Sequence, residues 1–75
     1  MIRVFSTPVC PYCYTLKEFL KDNKIEFKDV DVSSDDASRE EMIEKSGQMA
    51  VPVIDINGEF IVGFEKEKIS KLLGI

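Results

Sequence analysis

The sequence is 75 residues long, with 44% apolar and 32% charged residues and a formal net charge of −4. This balance is typical of a single globular domain over residues 1–75 and excludes an intrinsically disordered chain. Nucleic-acid binding is not expected, because the 10 basic residues are scattered along an acidic chain. No apolar stretch approaches the roughly 18 to 20 residues that span a bilayer, so membrane association is not expected either.

Both cysteines of the chain, Cys10 and Cys13, lie in the motif CPYC. The N-terminal stretch MIRVFSTP is too short and too strand-like for a secretory signal peptide, so we expect a reducing, cytoplasmic location. There, a C-x-x-C pair indicates redox chemistry or metal binding more often than a structural disulfide. A bridge over so few residues would also restrict the unfolded chain very little. The pair therefore predicts a disulfide that opens and closes.

The first half of the chain predicts a strand, a helix and a second strand. Residues 2–6, IRVFS, are β-branched and aromatic, as in a strand. A helix follows from Pro11, which suits the first helical position, and this makes Cys10 the N-cap. Residues 25–32, IEFKDVDV, predict the second strand. The apolar face of the helix is expected to carry Tyr12, Leu16, Phe19 and Leu20.

The second half predicts a helix, a hairpin and a final helix. The segment SSDDASREEMIEKSG has cap signals at its start and Gly47 as its stop. In VPVIDINGEFIVGF, Asn57 and Gly58 both accept the positive φ of a type I′ hairpin turn. EKEKISKLLGI predicts the last helix, with Ile69, Leu72 and Leu73 on one face. The order βαβαββα predicts an α/β fold with a four-stranded mixed sheet flanked by helices. We expect two parallel pairs from two β-α-β units, and antiparallel strands from the hairpin.

The positions of the two cysteines suggest different roles for them. A sulfur at a helix N-cap faces unpaired backbone N–H groups and the positive end of the helix dipole, and both stabilise a thiolate. Cys13 lies one turn later, within reach of Cys10 but deeper along the helix. We therefore expect Cys10 to attack a disulfide and Cys13 to resolve the mixed disulfide that results. Lys17, one further turn along, is expected to be solvent-exposed, with some positive potential near the pair as the alternative.

CPYC between a strand and a helix, followed later by AVPVIDINGEFIVGF, resembles the glutaredoxin family along the whole chain. The resemblance implies a thioredoxin-like fold and reduction of protein disulfides or glutathione mixed disulfides. Glutathione would be the co-substrate, with no tightly bound cofactor. The resemblance also implies a cis peptide bond before Pro52, and a backbone contact from Val51 to the substrate. Thr7, Pro11 and Tyr12 would complete the substrate groove.

The chain departs from the glutaredoxin pattern at two places. Family members commonly carry Lys or Arg where this chain has Thr7, which offers a hydrogen bond but no charge. The family's double glycine followed by acids reads VGFEKE here, so Gly63, Phe64 and Glu65 would surround the amino end of glutathione. Gln48 would meet its glycine carboxylate. The GF pair is similar to NrdH-redoxins, which take electrons from thioredoxin reductase. Either glutathione or thioredoxin reductase is therefore the expected partner.

Three other interpretations remain open at this point. The cysteine pair could be structural, or it could be a thiol switch that binds partners without turnover. It could also hold metal, although the chain has no histidine. Two thiolates supply half of a zinc or iron–sulfur site, so a second chain or external thiols would have to complete it. We expect a monomer without metal.

Overall fold

The computed structural model describes residues 2–75, in which three helices pack against one four-stranded sheet. The order βαβαββα agrees with the prediction, so the predicted α/β architecture is confirmed. The elements are β1 Ile2–Ser6, α1 Pro11–Asp22, β2 Lys28–Asp31, α2 Asp36–Ser46, β3 Val53–Ile56, β4 Glu59–Val62 and α3 Lys66–Leu73.

The strands lie side by side in the order β2-β1-β3-β4. β1 is parallel to β2, with Ser6 opposite Asp31, and antiparallel to β3, with Phe5 opposite Val53. The expectation of two parallel pairs was therefore wrong, because among the neighbouring strands of the described sheet only β1 and β2 pair in parallel. These registers show the reason. The segment that contains α2 leaves and rejoins the sheet at the end where β1 and β2 finish, so β3 has to run back along β1.

The second strand is shorter than residues 25–32, because β2 begins only at Lys28. α1 ends in a tight turn in which Lys24 has a φ of 58°. In the same turn the Ile25 N–H donates to the Leu20 carbonyl oxygen at 2.9 Å. Ile25 and Phe27 then pack, half-buried, against the apolar core beneath α1. These apolar residues therefore belong to a connection that fills the core before the strand starts.

The local turn and cap signals are confirmed. Asn57 and Gly58 have φ values of 52° and 99°, as a type I′ turn between β3 and β4 requires. Gly47 ends α2 in the left-handed conformation with a φ of 76°, and its N–H donates to the Ile43 carbonyl oxygen at 2.8 Å. Each of these signals depends only on residues close in sequence.

Apolar side chains cover both faces of the sheet. In the central strand β1, Val4 points to one face and Phe5 to the other, as the pleat requires. Leu72 is 42% exposed, so its predicted place on the inner face of α3 was wrong. The core on the side of α1 and α3 consists of Val4, Leu16, Leu20, Ile54, Ile56, Ile61 and Ile69. The core under α2 consists of Phe5, Val30, Val32, Met42 and Val53.

A polar cluster closes the α2 side of the sheet at the start of β1. The guanidinium of Arg3 donates to both carboxylate oxygens of Glu41, at 2.9 and 2.8 Å, and its Nε donates to Asp55 at 2.8 Å. Asp55 also accepts the Gly58 N–H at 2.8 Å. These bonds, above all those to Glu41, raise the pKa of Arg3 above its ordinary value. Among the described residues, no buried side-chain nitrogen or oxygen lacks a hydrogen-bond partner.

Candidate active site

Cys10 is the N-cap of α1, as the position of Pro11 predicted. Its backbone is extended, with φ −93° and ψ 112°, and its Sγ accepts the Cys13 backbone N–H at 3.2 Å. The Cys10 N–H donates to the Thr7 carbonyl oxygen at 3.4 Å and so closes the turn between β1 and α1. The sulfur therefore takes the place of the side-chain oxygen that usually accepts this bond at an N-cap.

The two free thiols differ in exposure. Cys10 is half-buried, whereas Cys13 is 0% exposed. Burial and the hydrogen bond with Cys10 raise the pKa of the Cys13 thiol to about 12, while the Thr7 backbone and the charge of Lys17 act in the opposite direction. Burial disfavours the charged form of a thiol, so Cys13 is held protonated beneath an accessible sulfur.

The loop before β3 contains the predicted cis peptide bond, between Val51 and Pro52. Pro52 is buried, and its carbonyl oxygen accepts the Gly63 N–H at 2.7 Å. Gly63 has a φ of 82°, a conformation that glycine adopts without strain. The end of β4 is thereby fastened to this loop.

A groove of about 250 Å³ lies between this loop and α2. It brings together two residues predicted for the substrate groove, Thr7 and Val51. Met49 is 72% exposed at the groove, and Val9, next to Cys10, is 88% exposed. The walls are mainly apolar, and one guanidinium contributes a positive charge. The lining residues are Thr7, Val32, Ser33, Arg39, Met42, Met49, Ala50 and Val51.

Arg39 is the charged residue of the groove, and the sequence did not predict it there. In the sequence it stands in the acidic run DDASREE, which has the appearance of a solvated helix face. It pairs with Asp36, three residues earlier, at 3.1 Å, and the Asp36 side chain is 83% exposed. Such exposed pairs contribute little to stability and exchange readily. The signal available in sequence was a lone arginine among acids, and only the fold places it with Thr7.

Tyr12 does not pack on the apolar face of α1 as predicted. It is 69% exposed, whereas Leu16 on the same predicted face is 0% exposed. Pro11 beside it is also exposed. The outer surface of the first turn of α1 is therefore accessible beside Cys10.

The residues predicted for the glutathione end do not line this groove. The ring of Phe64 packs on Phe19 of α1, with centroids 5.7 Å apart. Glu65 is exposed at the N-cap of α3 and makes no side-chain capping bond. Gln48 is exposed just after α2, where its backbone N–H donates to Ser46 Oγ at 3.3 Å.

Within residues 2–75, no three His, Cys, Asp or Glu side chains converge on a common point where they could hold a metal ion. Cys10 and Cys13 could supply two of the four ligands of a tetrahedral site. Over the same residues, no helix is both long enough and apolar enough to cross a membrane.

Solved structures with a similar backbone fold belong to the thioredoxin-like class of redox proteins. The thioredoxin-like protein BC3987 matches with a TM-score of 0.90 and 36% identity, over 96% of this chain and 99% of that one. Buckwheat glutaredoxin in complex with glutathione matches with a TM-score of 0.80 and 26% identity, over 97% and 73%. NrdH-redoxin from Escherichia coli matches with a TM-score of 0.82 over 95% and 92%; at 20% identity this shows a shared fold alone. The predicted thioredoxin-like fold is confirmed.

Sequence comparisons identify the family within this class. The glutaredoxin family model matches residues 2–61. A glutaredoxin-like 8.6 kDa protein of the rubredoxin operon of Clostridium pasteurianum is 52% identical over 73 residues, 97% of each chain. Glutaredoxin 3 of Escherichia coli K12 is 34% identical over 62 residues, 83% of this chain and 75% of the other. The chain belongs to the glutaredoxin family and is a thiol–disulfide oxidoreductase.

Proposed function

We propose that Cys10 is the nucleophile and Cys13 the resolving thiol in the reduction of protein disulfides and glutathione mixed disulfides. The Cys10 thiolate bonds one substrate sulfur while the other leaves as a thiolate. Cys13 then loses its proton and bonds to Cys10, which releases the second substrate sulfur and leaves a Cys10–Cys13 disulfide. The observation that carries this assignment is the difference in exposure between the two sulfurs.

Glutathione is the electron source that we propose, acting as a co-substrate rather than a tightly bound cofactor. It carries a carboxylate at each end, and guanidinium groups bind carboxylates strongly. Arg39 supplies a positive charge in the same groove as Thr7. Thr7 itself offers only a hydroxyl. The backbone of Val51 would contact the middle of the tripeptide, and Gln48 would add a hydrogen bond at the glycine carboxylate.

The amino end of glutathione would then lie near Gly63, Phe64 and Glu65. The Glu65 carboxylate is exposed and makes no capping bond, which leaves it available to an ammonium group. Pro52 would shape the floor of the groove, with Pro11 and Tyr12 at its rim. The similarity to a glutaredoxin solved with glutathione supports this arrangement.

A second candidate is an NrdH-like redoxin that is reduced by thioredoxin reductase. Two features favour it: Val62 stands where glutaredoxins have the first of two glycines, and Thr7 is uncharged. A coupled assay separates the candidates. It uses the mixed disulfide of glutathione and mercaptoethanol and follows NADPH oxidation. One arm contains glutathione and glutathione reductase, and the other contains thioredoxin reductase.

Turnover in the glutathione arm supports the first candidate. Turnover only in the thioredoxin reductase arm supports the second and contradicts glutathione as the co-substrate. Turnover in neither arm, together with stable partner complexes, would contradict both and would leave a thiol switch.

We further propose that residues 1–75 act as one monomeric domain in the cytoplasm, with disulfide-containing proteins as substrates. The mass in solution and the visible absorption of the purified protein test this together. A colourless monomer supports the proposal, whereas a coloured dimer would indicate a cluster bridged by two chains.

A further inference from the structure

Lys17 lies one helical turn after Cys13, and its side chain is only 21% exposed. The expectation that it extends into solvent was wrong. Its Nζ contacts Asp29 Oδ2 at 3.1 Å and Ser6 Oγ at 3.4 Å, and Ser6 Oγ donates to Asp29 Oδ1 at 3.0 Å. These residues belong to α1, β2 and β1, so two strands hold the ammonium group of Lys17 against the helix.

The same three residues adjoin the site of the cysteines. Ser6 is 2% exposed and is the last residue of β1. Thr7 follows it, and its carbonyl oxygen accepts the Cys10 N–H. The backbone of Thr7 also forms a hydrogen bond with the Cys13 thiol. The principal groups that act on the Cys13 thiol are therefore Cys10, the Thr7 backbone and Lys17.

The resolving step requires that Cys13 lose its proton although it is buried. In the reduced protein, a negative charge on Cys10 opposes this ionisation. Once Cys10 has formed a mixed disulfide, that charge is gone. The charge of Lys17, which lowers the pKa of Cys13, remains in that state, and a nearby positive charge stabilises a thiolate.

We propose that Lys17, held in place by Asp29 and Ser6, is a positioning residue that stabilises the Cys13 thiolate as it attacks the mixed disulfide. The Cys13 proton passes to solvent, and its sulfur forms a bond to Cys10 Sγ. The electron pair of the broken bond leaves with the substrate sulfur, which is then protonated. This inference rests on the roles proposed above for Cys10 and Cys13.

The test follows the reduced protein with the aromatic disulfide dithiobis-nitrobenzoate in stopped flow, over a range of pH. Attack by Cys10 releases one coloured thiolate, and attack by Cys13 on the mixed disulfide releases a second. The second release is first-order in protein, so it is separable from attack by another molecule. Its rate as a function of pH reports the ionisation of Cys13 in the mixed-disulfide state.

In the Lys17→Met variant we expect the second release to be about fivefold slower at neutral pH, with its pH midpoint moved upward. The first release should not change. Lys17→Arg keeps the charge and should keep both rates near those of the wild type. Lys21→Met is the matched control, since Lys21 is exposed on the same helix, and it should alter neither rate.

An unchanged second release in Lys17→Met would overturn the inference. So would an equal loss in Lys17→Arg or in Lys21→Met, because the charge at position 17 would then not be the cause. If Lys17→Met melts below the assay temperature, Lys17→Gln carries the same expectations, since it also removes the charge but keeps a polar side chain.

A different result would refute the proposed function itself. If the wild-type protein gave a first release and no second, Cys13 would not be the resolving thiol. The Cys13→Ser variant supplies the reference trace for that case. Failure of the inference and failure of the assigned roles are therefore distinguishable in one experiment.

Discussion

The start of β1 and the turn that follows its end differ in chemical character. At its start, Arg3 is bonded to Glu41 and Asp55, and the charges in this cluster are paired. At its end, the chain passes through Thr7 to Cys10, whose half-buried sulfur accepts a single backbone N–H.

This difference shows how one strand serves both stability and chemistry. Paired, part-buried charges hold neighbouring elements together but leave nothing to react. A sulfur at a helix N-terminus, beside a buried second thiol, remains accessible to a substrate. Substitutions at the start of β1 should therefore affect stability, and substitutions near its end should affect activity.

The largest expected effect is that of Cys10→Ser, which should lower turnover at least about a thousandfold. Serine is a good N-cap, so the melting temperature should stay close to that of the wild type. The coupled assay and a thermal melt on the same samples measure both quantities. Full activity in this variant would show that Cys10 is not the nucleophile.

Cys13→Ser should affect the two classes of substrate differently. Reduction of protein disulfides should stop, because no second thiol can release the trapped substrate. Reduction of glutathione mixed disulfides should continue, because free glutathione can resolve the intermediate. Insulin reduction and the mixed-disulfide assay, run in parallel, measure the two activities. Normal insulin reduction would contradict the role of Cys13.

Asp55→Ala should lower stability and leave activity unchanged, the opposite of the cysteine variants. It leaves Arg3 with one carboxylate partner and the Gly58 N–H without its acceptor, so we expect a loss of about 2 to 4 kcal/mol in the free energy of unfolding. Activity per folded molecule should be unchanged. Urea unfolding measures the loss. Glu59→Ala on the neighbouring strand is the exposed control and should change stability by less than about 0.5 kcal/mol. Equal losses in the two variants would contradict a special role for the cluster.

Arg39→Gln tests the groove near Cys10. If Arg39 binds a carboxylate of glutathione, KM for glutathione should rise about threefold to tenfold while kcat changes little. Lys45→Gln removes a positive charge from the same helix and serves as the control. An equal rise in KM in both variants would indicate a general effect of charge rather than a contact in the groove.

The smallest expected effect is a pH dependence at the start of β1. Hydrogen bonds from Arg3 hold the pKa of Glu41 below its ordinary value of 4.5. The unfolded chain therefore binds a proton more readily, and this contribution to stability is present above pH 4.5 and lost as the pH falls through the lowered pKa. Glu41→Gln should remove this part of the acid-induced loss. Urea midpoints across that range measure it. Glu44→Gln, exposed on the same helix, should leave the loss unchanged.

Several features followed from sequence because they depend on near neighbours. Pro11 set the start of α1 and made Cys10 its N-cap, and Asn57-Gly58 set the hairpin turn. The cis bond before Pro52 came from the family resemblance, since proline alone does not predict it. The start of β2 was misplaced, because Ile25 and Phe27 have strand-like side chains that the fold uses to fill the core under α1.

The sequence by itself determined the order of the elements, the reactive pair at a helix N-terminus and the family to which the chain belongs. Only the tertiary structure decided that β3 runs antiparallel to β1, that Cys13 is fully buried, and that Arg39 lies in the groove. It also decided that Lys17 is held by Ser6 and Asp29. The reason is physical: caps and turns are made by residues a few positions apart, whereas strand direction, burial and ion pairs arise where distant segments pack on one sheet.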